Sequence, residues 1–324
     1  MKHPFRLAVA FSLALASTLA LAQAGAYPNR PIKIVVPYSP GTGSDAMART
    51  LGKVVSEKSG QPVVIENRDG GGSLLGTMVV AKAPADGYTL LIAANPFVIV
   101  PSQHLKPPYD PLKDFVPVAK VGVIPLVLAA ASNVPFTNLK ELVAYARANP
   151  GKLSYASSGA GTISQQEMEL FKQAAGLDIV EVGYKSTAQA MTDTLGGQIA
   201  LFPVVVPLVM PHLKSGRVRA LGLFDTQRSQ IFPEIPLIGE ELGVPGYTPT
   251  PVWYGFMAPA GTPREIIATL NGLFHGAMQS AEVKERLAGL GAQASTPTNE
   301  QFAAALKAEL EKAARVAKML GTAK

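Results

Sequence analysis

The stretch Val35-Val36-Pro37-Tyr38-Ser39-Pro40-Gly41-Thr42-Gly43-Ser44-Asp45-Ala46-Met47-Ala48-Arg49 passes from β-branched residues through a proline and glycine loop into an alanine-rich run. It reads as a buried strand, a glycine loop and the start of a helix. The loop holds no catalytic pair, so an occupant would be held by backbone N–H groups and the helix's positive end. Binding, not chemistry, is the first expectation, and a small anion the expected occupant. Ser44 is the expected N-cap. Asp45 suits the first turn of the helix, and Arg49, one turn on, can pair with it.

Outward from this stretch, apolar runs alternate with helical patterns, which predicts an α/β protein with parallel sheets and crossover helices. Ile32 to Pro37 is the first strand; Met47, Leu51, Val54 and Val55 mark the helix stripe, and Val63 to Glu66 the second strand. After the turn Asn67 to Ser73, Leu74, Leu75, Met78 and Val79 are expected to face inward from a second helix, and Tyr88 to Ala93 is a third strand. A second series opens with Pro125 to Ala131 and a helix carrying Leu139, Leu142, Val143 and Ala146, and continues to Phe224. Trp253 to Ala258 reads as a strand returning to the first series, and three helical patterns follow Pro263. The chain should therefore form two lobes, one from 27–125 with 247–324 and one from 126–246. Their two crossings suggest a hinge.

Lys2 and Arg6 precede an apolar stretch, Leu7 to Leu21, that is too short to span a bilayer. Residues 1–26 read as a signal peptide cleaved after Ala22 or Ala26, which places the working protein in the periplasm. The remaining length of about 300 residues suffices for two α/β domains, so the absence of cysteine is no handicap in an oxidising compartment. Lys and Arg are dispersed and not interleaved with aromatics, which argues against nucleic acid.

Two further loops repeat the first arrangement. Ser157-Ser158-Gly159-Ala160-Gly161-Thr162 precedes a helix for which Thr162 and Gln165 fit a capping box, and Tyr184-Lys185-Ser186-Thr187 precedes one for which Ser186 and Gln189 fit another. Several helix starts can thus face one crevice at the carboxyl ends of strands. A helix end adds only about 0.3–2 kcal/mol, whereas micromolar binding needs about −8 kcal/mol. Charge-assisted hydrogen bonds contribute about 1.5–3 kcal/mol each, so roughly four to six donors from both lobes are required.

Enzyme signatures are missing. His104, His212 and His275 lack metal-ligand spacing, no G-x-S-x-G elbow or P-loop occurs, and Glu167 and Glu169 point to different faces of a helix. No cofactor or metal is expected. Trp253 and Tyr254 could stack on a ligand, although core packing is the more frequent role for such residues.

The segments Tyr27-Pro28-Asn29-Arg30-Pro31-Ile32, Val35-Val36-Pro37-Tyr38, Gly60-Gln61-Pro62-Val63-Val64-Ile65-Glu66-Asn67-Arg68 and Asp86-Gly87-Tyr88-Thr89-Leu90-Leu91 carry a family resemblance. Tyr109-Asp110-Pro111, Pro150-Gly151-Lys152-Leu153, Leu195-Gly196-Gly197-Gln198 and Ala258-Pro259-Ala260-Gly261-Thr262-Pro263 extend it to nearly the whole chain. The chain resembles the tripartite tricarboxylate transporter substrate-binding proteins, the Bug receptors. The resemblance implies a two-lobed, Venus-flytrap periplasmic binding protein of type II-like form. Such a receptor closes on a small organic carboxylate through backbone amides and waters and delivers it to inner-membrane transporter subunits, or presents it to a membrane sensor. A monomer is expected.

Carried over by position, the resemblance implies Tyr38, Ser39, Gly41, Thr42, Gly43, Ser44 and Asp45 in the first loop as ligand-binding, with Ala94 and Asn95 after the third strand. Ser157, Ser158, Gly159, Ala160, Gly161 and Thr162 belong to the second loop, and Tyr184, Ser186 and Thr187 to the third. The chain also departs from the family pattern. Gly41-Thr42 stands for Gly-Gly, Gln165 for His, and Ser186 and Gln189 for Gly and Pro. Two common aspartates are replaced by Ala200 and Val204. Val204 joins the expected site, and a ligand without an amino group, with an apolar and even aromatic body, is the expectation. Core filling of a buried strand explains the same replacements.

Overall fold

The computed structural model describes residues 27–159, 161–184, 186–229, 232–243 and 247–321. The expected signal peptide lies outside them. Ile32–Val36 forms β1 and leads into α1, Gly43–Ser59, whose buried stripe of Met47, Leu51, Val54 and Val55 is the expected one. Thr42 is the N-cap, not Ser44: its Oγ1 accepts the Asp45 N–H, and Gly60 closes the helix with a φ of 68°. β2 is Val63–Asn67, α2 Leu74–Ala81, β3 Thr89–Ala93 and α3 Pro96–Ser102.

In α2 the expected inward stripe is only half right, because Leu75 and Val79 are 59% and 43% exposed. Gly76 decides the orientation. A Cβ there would lie 2.8 Å from Arg68 O and Pro37 Cα, so this eight-residue helix approaches the sheet backbone through Gly76, Thr77 and Val80.

β4, Phe115–Ile124, was not among the strands predicted from sequence; the prolines before it mask a ten-residue strand. Pro125 alone separates it from β5, Leu126–Ala131. α4 (Leu139–Ala148), β6 (Ser154–Ser157), α5 (Ile163–Ala175), β7 (Val180–Gly183), α6 (Thr187–Leu195), β8 (Leu201–Val205), α7 (Val206–Lys214), β9 (Val218–Leu223) and α8 (Ile238–Leu242) follow. β10 is Val252–Pro259, and α9 (Arg264–Met278), α10 (Ala281–Gly289), β11 (Gln293–Ala294) and α11 (Asn299–Leu320) close the described chain.

The strands make two sheets flanked by helices, one ordered β11-β4-β10-β3-β1-β2 and the other β7-β6-β8-β5-β9. The sheets are mixed, not parallel throughout. β1 pairs in parallel with β2 and β3, and β6 with β7 and β8, but β10 runs antiparallel to β3 and β4, and β5 antiparallel to β8 and β9. The direct passage from β4 to β5, and the return of the chain in β10, set these directions where no crossover helix intervenes. The expected return strand is thus confirmed as a member of the first sheet.

Alternation along β10 separates two environments. Phe256 stacks on Phe274 of α9 at 4.0 Å between ring centroids, whereas Trp253 meets Phe302 of α11 edge-on at 5.4 Å. Gly255 allows α11 to approach: a Cβ there would lie 2.5 Å from the Phe302 ring.

Candidate ligand-binding cleft

The ends of β1, β3, β8 and β10 and the starts of α1, α5 and α6 surround a cavity of about 350 Å³ between the two sheets. From the first loop it is lined by Tyr38, Thr42, Gly43 and Ser44, after β3 by Ala94 and Asn95, and from the other sheet's loops by Ser158, Thr162 and Thr187; Val204 also lines it. These expected residues come together.

Others among the expected set support the loops without lining the cavity. Ser39 donates its hydroxyl to Asp69. Gly41, at φ 84°, donates its N–H to Asp45 Oδ2 at 3.0 Å. The Asp45 carboxylate also accepts Arg49 Nε at 3.0 Å and Asn67 Nδ2 at 2.9 Å, so the pairing with Arg49 is formed and Asp45 braces the loop. Arg49 leads the contacts that hold its carboxyl down at about 2, against burial.

Ser157 donates to Glu181 and accepts from Gly159 N–H, and Gly161 donates to Gln165 Oε1 at 3.2 Å. The predicted capping box at Thr162 does not form, since the Thr162 hydroxyl donates to Gly159 O at 2.7 Å and Gln165 serves Gly161 instead. Ser186 likewise caps α6 without a side-chain bond. Tyr184 turns its hydroxyl to Asp193 at 2.7 Å, away from the cavity. Ala160 and Lys185 lie outside the described residues.

What remains free is the set of first-turn N–H groups. Helix geometry leaves them without i−4 partners. Gly43 and Ser44 at the start of α1, Ile163 and Ser164 at the start of α5, and Thr187 at the start of α6 all line the cavity, and none of their N–H groups has an internal acceptor among the described residues. Five donors from two sheets match the number that micromolar binding requires.

The remaining walls are Pro96, Leu126, Ile163, Phe202, Pro203, Val205, Leu208, Val252 and Tyr254. Sequence reading missed most of these. Ile163 and Ser164 could have been found, because an N-cap at Thr162 makes them the first helical residues. Leu126, Phe202 and Leu208 carry no local signal of facing a cleft, as only the meeting of the sheets brings them there. Leu208 is 50% exposed although apolar. Tyr254 faces the cleft, whereas Trp253 belongs to the core behind it. Burial pushes the Tyr254 hydroxyl up to about 12, so it stays neutral. No lining residue among those described is charged, and the local potential comes from helix ends.

Residues 47–322 match the model of the tripartite tricarboxylate transporter family receptor. The chain belongs to this family. Protein BugT of Bordetella pertussis is 37% identical over 311 residues, covering 95% of each chain. The R. palustris protein Rpa4515 with adipate is 33% identical, with 90% of this chain and 98% of that one covered at a TM-score of 0.76. MatC from Rhodopseudomonas palustris with bound malate is 29% identical, with 90% and 100% covered at 0.74. The Bug resemblance read from the sequence and the two-lobed periplasmic binding-protein fold are both borne out. The family and these neighbours are solute-binding proteins, not enzymes.

Proposed function

We propose that this receptor captures a small organic carboxylate with an apolar body and no amino group, and delivers it to a tripartite tricarboxylate-type transporter. The observation that carries this reading is the pairing of free helix-start amides from both sheets with walls that bear no charged side chain among the described residues. Amides of Gly43, Ser44, Ile163, Ser164 and Thr187 satisfy the carboxylate. Phe202, Val204 and Leu208 cover the rest, where a protonated amine would find no counter-ion. The neighbours with adipate and malate support the carboxylate class. The lobes are taken as 27–125 with 247–324 and 126–246, hinged at the two crossings, and residues 1–26 as the signal peptide for export to the periplasm.

A thermal-shift screen of aliphatic and aromatic acids, adipate, malate, aspartate and glutamate tests the ligand class. Binding at 100 times Kd adds about 2.7 kcal/mol and raises the melting temperature by mass action. Stabilisation by acids lacking an amine is expected. Stabilisation by aspartate or glutamate alone would overturn it. Delivery is tested separately, by uptake of the radiolabelled hit in cells with and without the transporter's membrane subunits.

A further inference from the structure

The second glycine loop is held by a carboxylate that is not among the residues lining the cleft. Glu181 stands on β7, which pairs in parallel with β6, and Ser157, the last residue of β6, opens the loop. The two oxygens of Glu181 take two different donors. Oε1 accepts the Ser157 hydroxyl at 2.6 Å, and Oε2 accepts Gln165 Nε2 at 3.0 Å. Each donor passes the constraint on to a glycine. Ser157 Oγ accepts the N–H of Gly159 at 3.1 Å, and Gln165 Oε1 accepts that of Gly161 at 3.2 Å. Both glycines sit at positive φ, 96° and 81°, in a backbone free enough to need such bonds to fix its path.

The bonds grip the loop at both ends. Gln165 lies in the first turn of α5, beside Ile163 and Ser164, whose amides face the cleft. Ser157 is fully buried and Gln165 only 7% exposed, so water competes little for these contacts. The chemistry calls for an acid: two donors converge on position 181, and a carboxylate offers an acceptor to each. A glutamine there would meet one of them with its own NH2. On the loop's other side, a Cβ on Gly161 would lie 3.0 Å from Gln103 Oε1 and 3.5 Å from Val100 Cγ2, so the loop is also fitted against the end of α3.

We infer that Glu181 is the positioning residue of the second loop: without touching the occupant, it aims the Ile163 and Ser164 amides into the cleft through Ser157 and Gln165. Its effect on affinity rests on the carboxylate-binding reading above; its effect on the loop does not.

The full chain is followed by hydrogen–deuterium exchange without ligand, and by calorimetry with adipate and benzoate. Glu181→Ala should speed exchange of the peptide covering 157–166 about tenfold, leave 38–46 unchanged, and weaken acid binding about tenfold. An effect confined to 157–166 separates positioning from a general loss of stability. Glu181→Gln should fall between. Combining Glu181→Gln with Gln165→Glu restores every donor and acceptor, since position 181 then donates to position 165, which still accepts the Gly161 N–H. The double variant should recover most of both losses. Unchanged exchange in 157–166, an equal rise in 38–46, or no recovery in the double variant would overturn the proposal. Faster exchange in 157–166 with unaltered acid affinity would overturn the aiming of these amides at the ligand. Failure of the parent to bind either acid would count against the carboxylate-binding reading instead, and the exchange result would still decide the role of Glu181.

Discussion

The hydroxyl of Tyr254 stands against the backbone of Gly43, so closely that a Cβ on Gly43 would lie 2.6 Å from Tyr254 Oη. Glycine is required here by space and not by a left-handed backbone. The approach brings the amide of Gly43, at the start of α1, beside the wall formed by β10. Gly43→Ala should therefore push on a ring that is only 8% exposed, costing about 1–3 kcal/mol of stability and at least tenfold in ligand affinity. Tyr254→Phe removes the clashing atom and leaves Cζ at 3.4 Å, an ordinary contact. A double-mutant cycle should thus show Tyr254→Phe rescuing part of the loss, with a coupling of at least about 0.5 kcal/mol. Additive losses would show that the two residues do not meet.

Asp45 stabilises the first loop from beneath. Its carboxyl is held at about 2, below the ordinary 3.8, chiefly by Arg49, and its side chain is 6% exposed. A depressed acid contributes stability that is present above its unfolded value and is lost as pH falls through the folded one. The window therefore runs from about pH 4 down to about 2, and because the Arg49 partner is open to solvent the contribution is about 1 kcal/mol. Denaturant midpoints for Asp45→Asn and the parent should differ at pH 6 and converge towards pH 2. A constant gap across that range would contradict this role.

A second window has the opposite sign. Glu167 on α5 and Glu309 on α11 are both deeply buried, and burial raises each to about 7 from 4.5 despite the pull of Lys312. Between about pH 4.5 and 7 the unfolded chain has released protons that the folded chain keeps, so stability falls as pH rises through that interval. The pair titrates together through the shared lysine. Urea midpoints at pH 5 and 7.5 should show this loss in the parent and a smaller one in Glu167→Gln. An unchanged slope in the variant would remove Glu167 from the account.

Val204 is 3% exposed at the cleft wall. Val204→Asp should weaken the best apolar acid from the screen by at least tenfold, because it buries a carboxylate facing an apolar ligand. Affinity for aspartate or glutamate should rise relative to that acid. Calorimetry on both ligands measures the ratio, and an unaltered ratio would show that this position does not select the ligand.

The loops were legible in the sequence because glycine and N-cap chemistry are local: Gly41 to Ser44, and Ser158, Gly159, Gly161 and Thr162, sit where strand-to-helix signals placed them. Cap identity was less so. Thr42, Ser44 and Ser186 are all acceptable caps by type, and only the path of the chain decides which hydroxyl meets an N–H. β4 escaped notice because Pro117 and the prolines before it look like a linker, although its pairing with β10 satisfies the backbone. The apolar half of the cleft was mostly hidden for another reason: Phe202 and Leu208 differ from core residues only in what the other sheet leaves uncovered.

The central claim is that main-chain amides at helix starts hold the carboxylate. A crystal structure with the strongest hit of the thermal screen tests it most directly, through the distances from the ligand's carboxylate oxygens to the N atoms of Gly43, Ser44, Ile163, Ser164 and Thr187. The account predicts at least three of these within hydrogen-bonding reach, about 2.7–3.2 Å, drawn from both sheets. A carboxylate seated on a charged side chain, or touching amides of one sheet only, would contradict it.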